Sequence, residues 1–407
     1  MTEPDRPREI AGTVRASAGG FALWLSVPGR GERTLFAFSE GALERPRSLR
    51  ANRPSRWHEA WEGADLVIVT HGAFQEALAA LQALRESEGL KTVVVDVEDL
   101  YDEWSFGAKD PKALKDFLAH AQDRWQRPPS HLLLVGDATF DPRDYLGLGD
   151  QDLMPARILE TEFLETASDD WFADFDEDGV AEVAVGRLPV RTPKECEAVV
   201  SKLIAYAKAP AGDAEAWRRE ALFVSDDTDL FDFERSTQRL KDALPGAFTA
   251  REISLSAAGP IEARSQLLEA LSSGQLLVNY FGHGSVEVWA REEILTSEDV
   301  LSLENGPRLP VVAAMNCLNG FFHDLYTESL AEVLLKAPGG GAAAVWASSG
   351  LTAPHDQAAL NEAFLRHLLG EEGLSLGEAA QKAKVEVGDR DVRRTWILFG
   401  DPAMRLR

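Results

Sequence analysis

The chain has 407 residues, 45% hydrophobic and 27% charged, with 32 Gly and 20 Pro. That length allows two or three compact domains with a sizeable core, and the composition excludes a disordered or fibrous protein. Lys and Arg total 42 against 67 Asp and Glu, a formal charge of −25, which repels phosphate backbones and anionic lipid surfaces and argues against nucleic acid as a partner.

The opening MTEPDRPREI mixes acids and bases ahead of any apolar stretch. No secretory signal is expected in it, and a cytoplasmic location follows unless the chain is a fragment of a longer secreted protein. Phe21 to Val27 and Thr34 to Phe38 are strand-like and separated by Pro-Gly, which predicts a small N-terminal β element. Glu44 to Trp61, rich in Arg, Pro and Trp without periodicity, reads as a linker. From Ala64 onward, apolar runs of five or six residues alternate with amphipathic stretches, the pattern of βαβ units and parallel sheet.

The strands expected are Leu66–Thr70, Thr92–Val97, Leu132–Gly136, Val183–Leu188, Ala221–Val224, Leu276–Tyr280, Leu309–Met315, Ala342–Ala347 and Trp396–Phe399. Helical patterns between them include Gly72–Glu88, Lys112–Trp125 and Thr192–Lys208. That is more strand than one ordinary sheet needs, and the polar connection Ala209–Glu220 divides the series. The expected architecture is α/β with two doubly wound, mostly parallel sheets flanked by helices: residues 1–62 as β element and linker, 63–209 as one subdomain, 210–407 as a second. The longest uncharged run, Ala337 to Pro354, holds four Gly and is too broken to span a membrane.

In an open parallel sheet, ligands gather beyond the carboxyl ends of strands. Two ends stand out: Leu276–Tyr280 runs into Phe281, Gly282, His283, Gly284 and Ser285, and Leu309–Met315 ends in Asn316, Cys317, Leu318, Asn319 and Gly320. One short helical segment, opened by Ser297, Glu298 and Asp299, lies between them. A single crossover would make the strands parallel neighbours about 4.8 Å apart with both ends on one edge. His283 and Cys317 would then face one cleft. An imidazole beside a thiol takes its proton or stabilises the thiolate, which is the arrangement of nucleophilic thiol catalysis. The amides of Gly284 and Cys317 could form an oxyanion hole, with Trp289 and Asn319 as further substrate-binding candidates. Taken singly, a Cys at a strand end is more often a small buried hydrophobe and a His a hydrogen-bonded structural residue.

FGHGSVEVW (Phe281–Trp289) followed by AAMNCLNGFF (Ala313–Phe322) resembles the His and Cys signatures of the gingipain family of cysteine peptidases, which share the caspase-like fold. LLLVGD (Leu132–Asp137), SDDWF (Ser168–Phe172), VAVGRLPV (Val183–Val190) and TWILFGDPAMRLR (Thr395–Arg407) extend the resemblance in the family's order over about Ala64 to Arg407. It implies peptide-bond hydrolysis through a thioester, with Cys317 as nucleophile and His283 as general base and acid. It also implies that Asp169 orients the histidine or lines the specificity pocket, unless it merely caps a loop. Two features depart from the family pattern. Val286 stands where an acid follows Gly-Ser, with Glu287 one place later, and the loop SSGLTAPHD lacks the tryptophan that walls the pocket of arginine-specific relatives. A preference for Arg or Lys is therefore left open.

Asp169 to Glu182 holds seven acids and no base. Asp174, Asp176 and Asp178 have the alternating spacing of a calcium loop, but Val185 at the twelfth position excludes an EF-hand. A structural Ca²⁺, as in calcium-stabilised members of the family, competes there with a solvated acidic turn, and no cofactor is required for the chemistry. His323 and His355 make a Cys/His zinc site imaginable, while His71 and Cys196 read as structural. No phosphate-loop or dinucleotide fingerprint occurs. The function expected is a cysteine endopeptidase acting on protein or peptide, with a non-catalytic peptidase-like binding module and a thiol-dependent acyl transferase or amidase as rivals.

Overall fold

The computed structural model describes residues 9–27, 30, 35–43, 54–59, 62–149, 151–209 and 216–406. The chain divides into two compact units, Met1–Asn52 and Arg53–Arg407. In the first, β1 (Gly12–Ser17) and β2 (Gly20–Leu25) pair antiparallel with Ser17 opposite Gly20. The turn closes through Gly19 at φ +87°, a left-handed conformation that glycine adopts without a Cβ clash. The expected strand Phe21–Val27 is thus the second arm of a hairpin whose first arm precedes it. Leu35–Phe38, from the expected partner strand Thr34–Phe38, joins no strand. Thr34 and the Pro28-Gly29 turn lie outside the described residues, as does most of the expected linker Glu44–Trp61. In the described part of that linker, the amides of Trp57 and His58 donate to the Glu103 carboxylate at 2.9 Å each.

The second unit contains β3 (Leu66–Thr70), β4 (Thr92–Asp96), β5 (His131–Val135), β6 (Arg157–Glu160), β7 (Glu165–Ser168), β8 (Ala184–Leu188), β9 (Glu220–Ser225) and β10 (Thr249–Ser254). It continues with β11 (Leu277–Phe281), β12 (Gly284–Ser285), β13 (Val288–Trp289), β14 (Leu295–Thr296), β15 (Val311–Met315), β16 (Ala344–Ser348) and β17 (Trp396–Phe399). Ten of these form one sheet in the order β10-β9-β11-β15-β16-β17-β8-β5-β3-β4. The two sheets expected from the sequence are therefore the halves of one. The seam is β17, antiparallel to β16 and parallel to β8. Every other described pair in the sheet is parallel. Consequently the halves run in opposite directions: the carboxyl ends of β9, β11, β15 and β16 share one edge, and those of β8, β5, β3 and β4 share the other. Residues 210–215, in the connection between the halves, lie outside the described residues.

The central strands are buried along their whole length, which is why they read as unbroken apolar runs rather than alternating ones. Helices cover both faces. The helix Gln75–Ser87 turns Leu78, Leu81 and Leu84 to the core, the spacing of one helical face. Pro193–Lys208 begins where Thr192 Oγ1 accepts from the Glu195 amide and Pro193 fills the first helical position. The expected short segment before Gly306 is the helix Ser297–Leu301, capped by a reciprocal Thr296–Asp299 box. Among the described residues no helix is long and apolar enough to cross a membrane.

Candidate active site at the carboxyl edge of one half-sheet

β11 and β15 are adjacent and parallel, with Phe281 opposite Met315. His283 and Cys317 each follow two residues later, so the two side chains leave the same edge from matched positions on neighbouring strands.

The main chain of His283 is held on both sides. Its amide donates to Asp226 Oδ2 at 2.7 Å, and its carbonyl accepts from the Tyr280 hydroxyl at 2.6 Å. Asp226 follows β9, which pairs with β11, and Oδ1 of the same carboxylate accepts from the Asp227 amide. Burial raises the carboxyl pKa of Asp226 above its ordinary value, and the amide donors oppose that rise. Tyr280 is fully buried and stacks on Trp289 with ring centroids 4.4 Å apart. The loop around the imidazole is therefore rigid while the ring remains exposed. Its Nε2 lies 3.0 Å from Asp229 Oδ2. With that carboxylate on Nε2, a neutral ring carries its proton there and its lone pair on Nδ1. Asp229 is held below the usual carboxylate range by the Phe231 amide and then by His283.

Across the edge, Cys317 is partly buried. Its thiol donates to Thr352 O at 3.7 Å, and Gln357 Nε2 lies 3.9 Å from Sγ. Burial pushes the thiol pKa up, and the contacts with Thr352 and Gln357 oppose that rise. Leu318 follows at φ +65°, an uncommon conformation for a branched side chain that throws the chain sharply away from the strand.

The two loops are bolted together by Asn319. Its Oδ1 accepts from Trp289 Nε1 at 2.7 Å and from Asn316 Nδ2 at 2.6 Å, and its Nδ2 donates to Ser285 O at 2.6 Å and Val288 O at 3.3 Å. The carboxamide is thereby saturated. Asn319 and Trp289 are each 1% exposed, so these two expected substrate contacts instead fix the distance between the His and Cys loops. Gly284 is required for the same reason: a Cβ there would sit 2.1 Å from Asn316 Nδ2.

Asp169 requires the largest correction. Both its oxygens accept from Arg187, Nε and Nη2 at 2.7 Å each, and the two side chains are 1% and 0% exposed. Arg187 also donates to the carbonyls of Gly136, Met154 and Pro155. Both oxygens of Asp169 are taken by Arg187 and His283 is met by Asp229 instead, so Asp169 neutralises a buried guanidinium. The sequence reading missed Asp226, Asp229, Thr352 and Gln357. The strand-end rule applied to β9, which runs into Asp226-Asp227-Thr228-Asp229, would have found the first two.

A cleft of about 510 Å³ opens beside the imidazole, lined by Asp226, Asp227, Asp229, Glu292 and Glu293, with Arg291 the one base among its described walls. The acidic run behaves differently from its expected pattern. Asp174, Asp176 and Glu182 offer oxygens within 4.8 Å of one another, whereas Asp178 Oδ1 accepts from the Val180 amide. Asp174 is 4% exposed and its Oδ1 has no hydrogen-bond partner. His323 is buried and burial lowers its pKa to about 4; His355 is exposed and pairs with Asp356. Neither histidine approaches Cys317 as a shared metal ligand. Cys196 is buried and its thiol pKa is pushed up to about 12.

A family model described as Peptidase family C25 matches residues 59–407. The chain belongs to that family. It is 22% identical over 375 residues to gingipain R2 of Porphyromonas gingivalis strain W83, which covers 86% of this chain and 47% of that protein. To gingipain R1 of Porphyromonas gingivalis it is 21% identical, over 86% of this chain and 35% of the other. The chain thus spans about half or less of these curated relatives. In structure it is similar to the Arg-specific cysteine proteinase gingipain R (RgpB), with a TM-score of 0.72 at 20% identity, covering 88% of this chain and 80% of that one. The fold of this C25 chain is the caspase-like α/β arrangement that the sequence resemblance implies.

Proposed function

We propose that the chain is a cysteine endopeptidase in which Cys317 is the nucleophile, His283 the general acid and base, and Asp229 the residue that positions the imidazole. The observation that carries this reading is the departure of His283 and Cys317 from register-matched ends of adjacent parallel strands. The thiol gives its proton to the imidazole, and the sulfur electron pair attacks the scissile carbonyl carbon. The oxyanion is met by the amides of Gly284 and Cys317. The imidazolium then protonates the leaving amine as the C–N bond breaks, leaving a thioester. Water, deprotonated by the same imidazole, releases the acid and restores the thiol.

Protein or peptide is the substrate class, as family membership supports. Five acids against one base beside His283 favour a Lys or Arg side chain in the neighbouring cleft, and gingipain R is described as Arg-specific. Cys317→Ala should lose hydrolysis of fluorogenic peptides entirely while unfolding within about 1–2 kcal/mol of the parent, because a partly buried thiol at a strand end contributes little packing. An inactive parent chain, or a Cys317→Ala variant that still turns over, would leave the binding-module reading in its place. Turnover of simple esters but not peptides would favour the acyl-transfer rival.

We also propose a structural calcium ion held by Asp174, Asp176 and Glu182. Three converging carboxylates, one of them buried with an unpartnered oxygen, suit a hard cation. No step of hydrolysis runs through it. Micromolar calcium should raise Tm, and Asp174→Asn should remove that rise; a Tm indifferent to calcium and chelator rejects the site.

A further inference from the structure

The sulfur of Cys317 is met by a second element besides its own loop. Gln357 lies in the first turn of the helix Pro354–Leu368 and is 2% exposed. Its Nε2 is 3.0 Å from Thr352 Oγ1, 3.1 Å from Thr352 O and 3.9 Å from Cys317 Sγ. A carboxamide NH₂ carries two protons and accepts nothing. Both oxygens of Thr352 accept from that NH₂, so the sulfur at 3.9 Å shares a proton with Thr352. The carbonyl of Thr352 accepts the S–H, while the amide N–H, which can only donate, favours the thiolate. The sulfur therefore sits between a group that holds its proton and a group that can hold its charge.

A glutamine kept only to seal the loop would use both ends of its amide. Here Oε1 is buried without a hydrogen-bond partner, an arrangement unfavourable to folding that leaves the N–H end as the reason for the residue. The helix start adds the positive end of its dipole on the same side.

We propose that Gln357 is a catalytic residue that donates its side-chain N–H to the Cys317 sulfur as the thiolate forms. The inference rests on the reading of Cys317 as nucleophile. When the S–H proton passes from Thr352 O to the imidazole of His283, the bonding pair stays on sulfur and the Gln357 N–H···S contact becomes charge-assisted. It relaxes again as that pair forms the S–C bond. The other titratable groups around this end of the site are His283 across the edge and the His355–Asp356 pair on the same helical turn; among the described residues none is hydrogen-bonded to the sulfur.

The test is the pH profile of Cys317 alkylation by iodoacetamide, read by mass spectrometry on the full chain from about pH 6 to about pH 10, with buried Cys196 as the internal reference. Gln357→Leu should move the Cys317 midpoint up by about 0.5–1 pH unit, slow labelling at neutral pH about threefold to tenfold, and lower kcat by a similar factor with KM little changed. Gln357→Met, unbranched and without a donor, should do the same and carries the test if the leucine variant fails to fold. An unmoved midpoint in a folded variant of an active enzyme overturns this inference alone. A parent chain without peptide turnover overturns the catalytic role together with the peptidase reading, even where the midpoint still shifts.

Discussion

The two halves of the sheet use their acidic residues in opposite ways. In the half built from β8, β5, β3 and β4, Asp137 is fully buried against Arg191, and Asp169 is buried against Arg187. In the half built from β9, β11, β15 and β16, Asp226 and Asp229 face a histidine, backbone amides and an open cleft. Burying a carboxylate without a cation is strongly unfavourable, and a bidentate arginine offsets much of that cost by fixing both charges in place. Such a pair cannot also turn or meet a substrate. Asp229, itself about half exposed beside a half-exposed imidazole, keeps those freedoms. On the proposed reading the first half is scaffold, and chemistry belongs to the second.

Substitution at Asp169 should break this contrast most visibly if it is wrong. Asp169→Ala leaves the Arg187 guanidinium buried and unpaired, which should destabilise the fold by about 3–5 kcal/mol in denaturant titrations. Activity per folded molecule should be preserved. A variant of parental stability that has lost only turnover would return Asp169 to the catalytic group. Asp229→Asn should show the reverse pattern: kcat down about threefold to tenfold, and stability within about 0.5 kcal/mol because the His283–Asp229 pair is half exposed.

The smallest effect concerns the helix Leu330–Lys336, which follows the Cys loop and reaches the scaffold half through Lys336 Nζ to Pro189 O. Glu332 is fully buried there, and burial raises its pKa to about 8. The folded state then keeps a proton that the unfolded chain releases near pH 4.5, so stability falls as pH rises from about 4.5 to about 8 and is flat above. Glu332→Gln cannot release that proton and should flatten the fall in Tm across this window. An unchanged slope would place the titration elsewhere.

Much of this was legible in the chain. Nine of the sheet's strands coincide with apolar runs to within a residue or two, because a strand buried on both faces can contain little else. The tenth, β10, was missed: Thr249–Ser254 is an edge strand whose side chains are mostly exposed, so its sequence TAREIS shows no such run. The placement of His283 and Cys317 at the ends of neighbouring parallel strands was readable from the single short helix between those strands. Roles were harder to read. Ser168-Asp169 looks the same whether the carboxylate meets a substrate or an arginine 18 positions away, and Trp289 and Asn319 look like pocket residues until their mutual hydrogen bond is seen.

From the residues alone came the α/β class, the strands and the two chemical groups worth placing together, since burial and periodicity are properties of short segments. Strand order was decided only in three dimensions. The insertion of β17 between β16 and β8 merged two expected sheets into one and reversed the direction of half of it. The partners of each carboxylate were decided there too, because a charge is matched by whichever groups the fold brings within about 3 Å, wherever they stand in the chain.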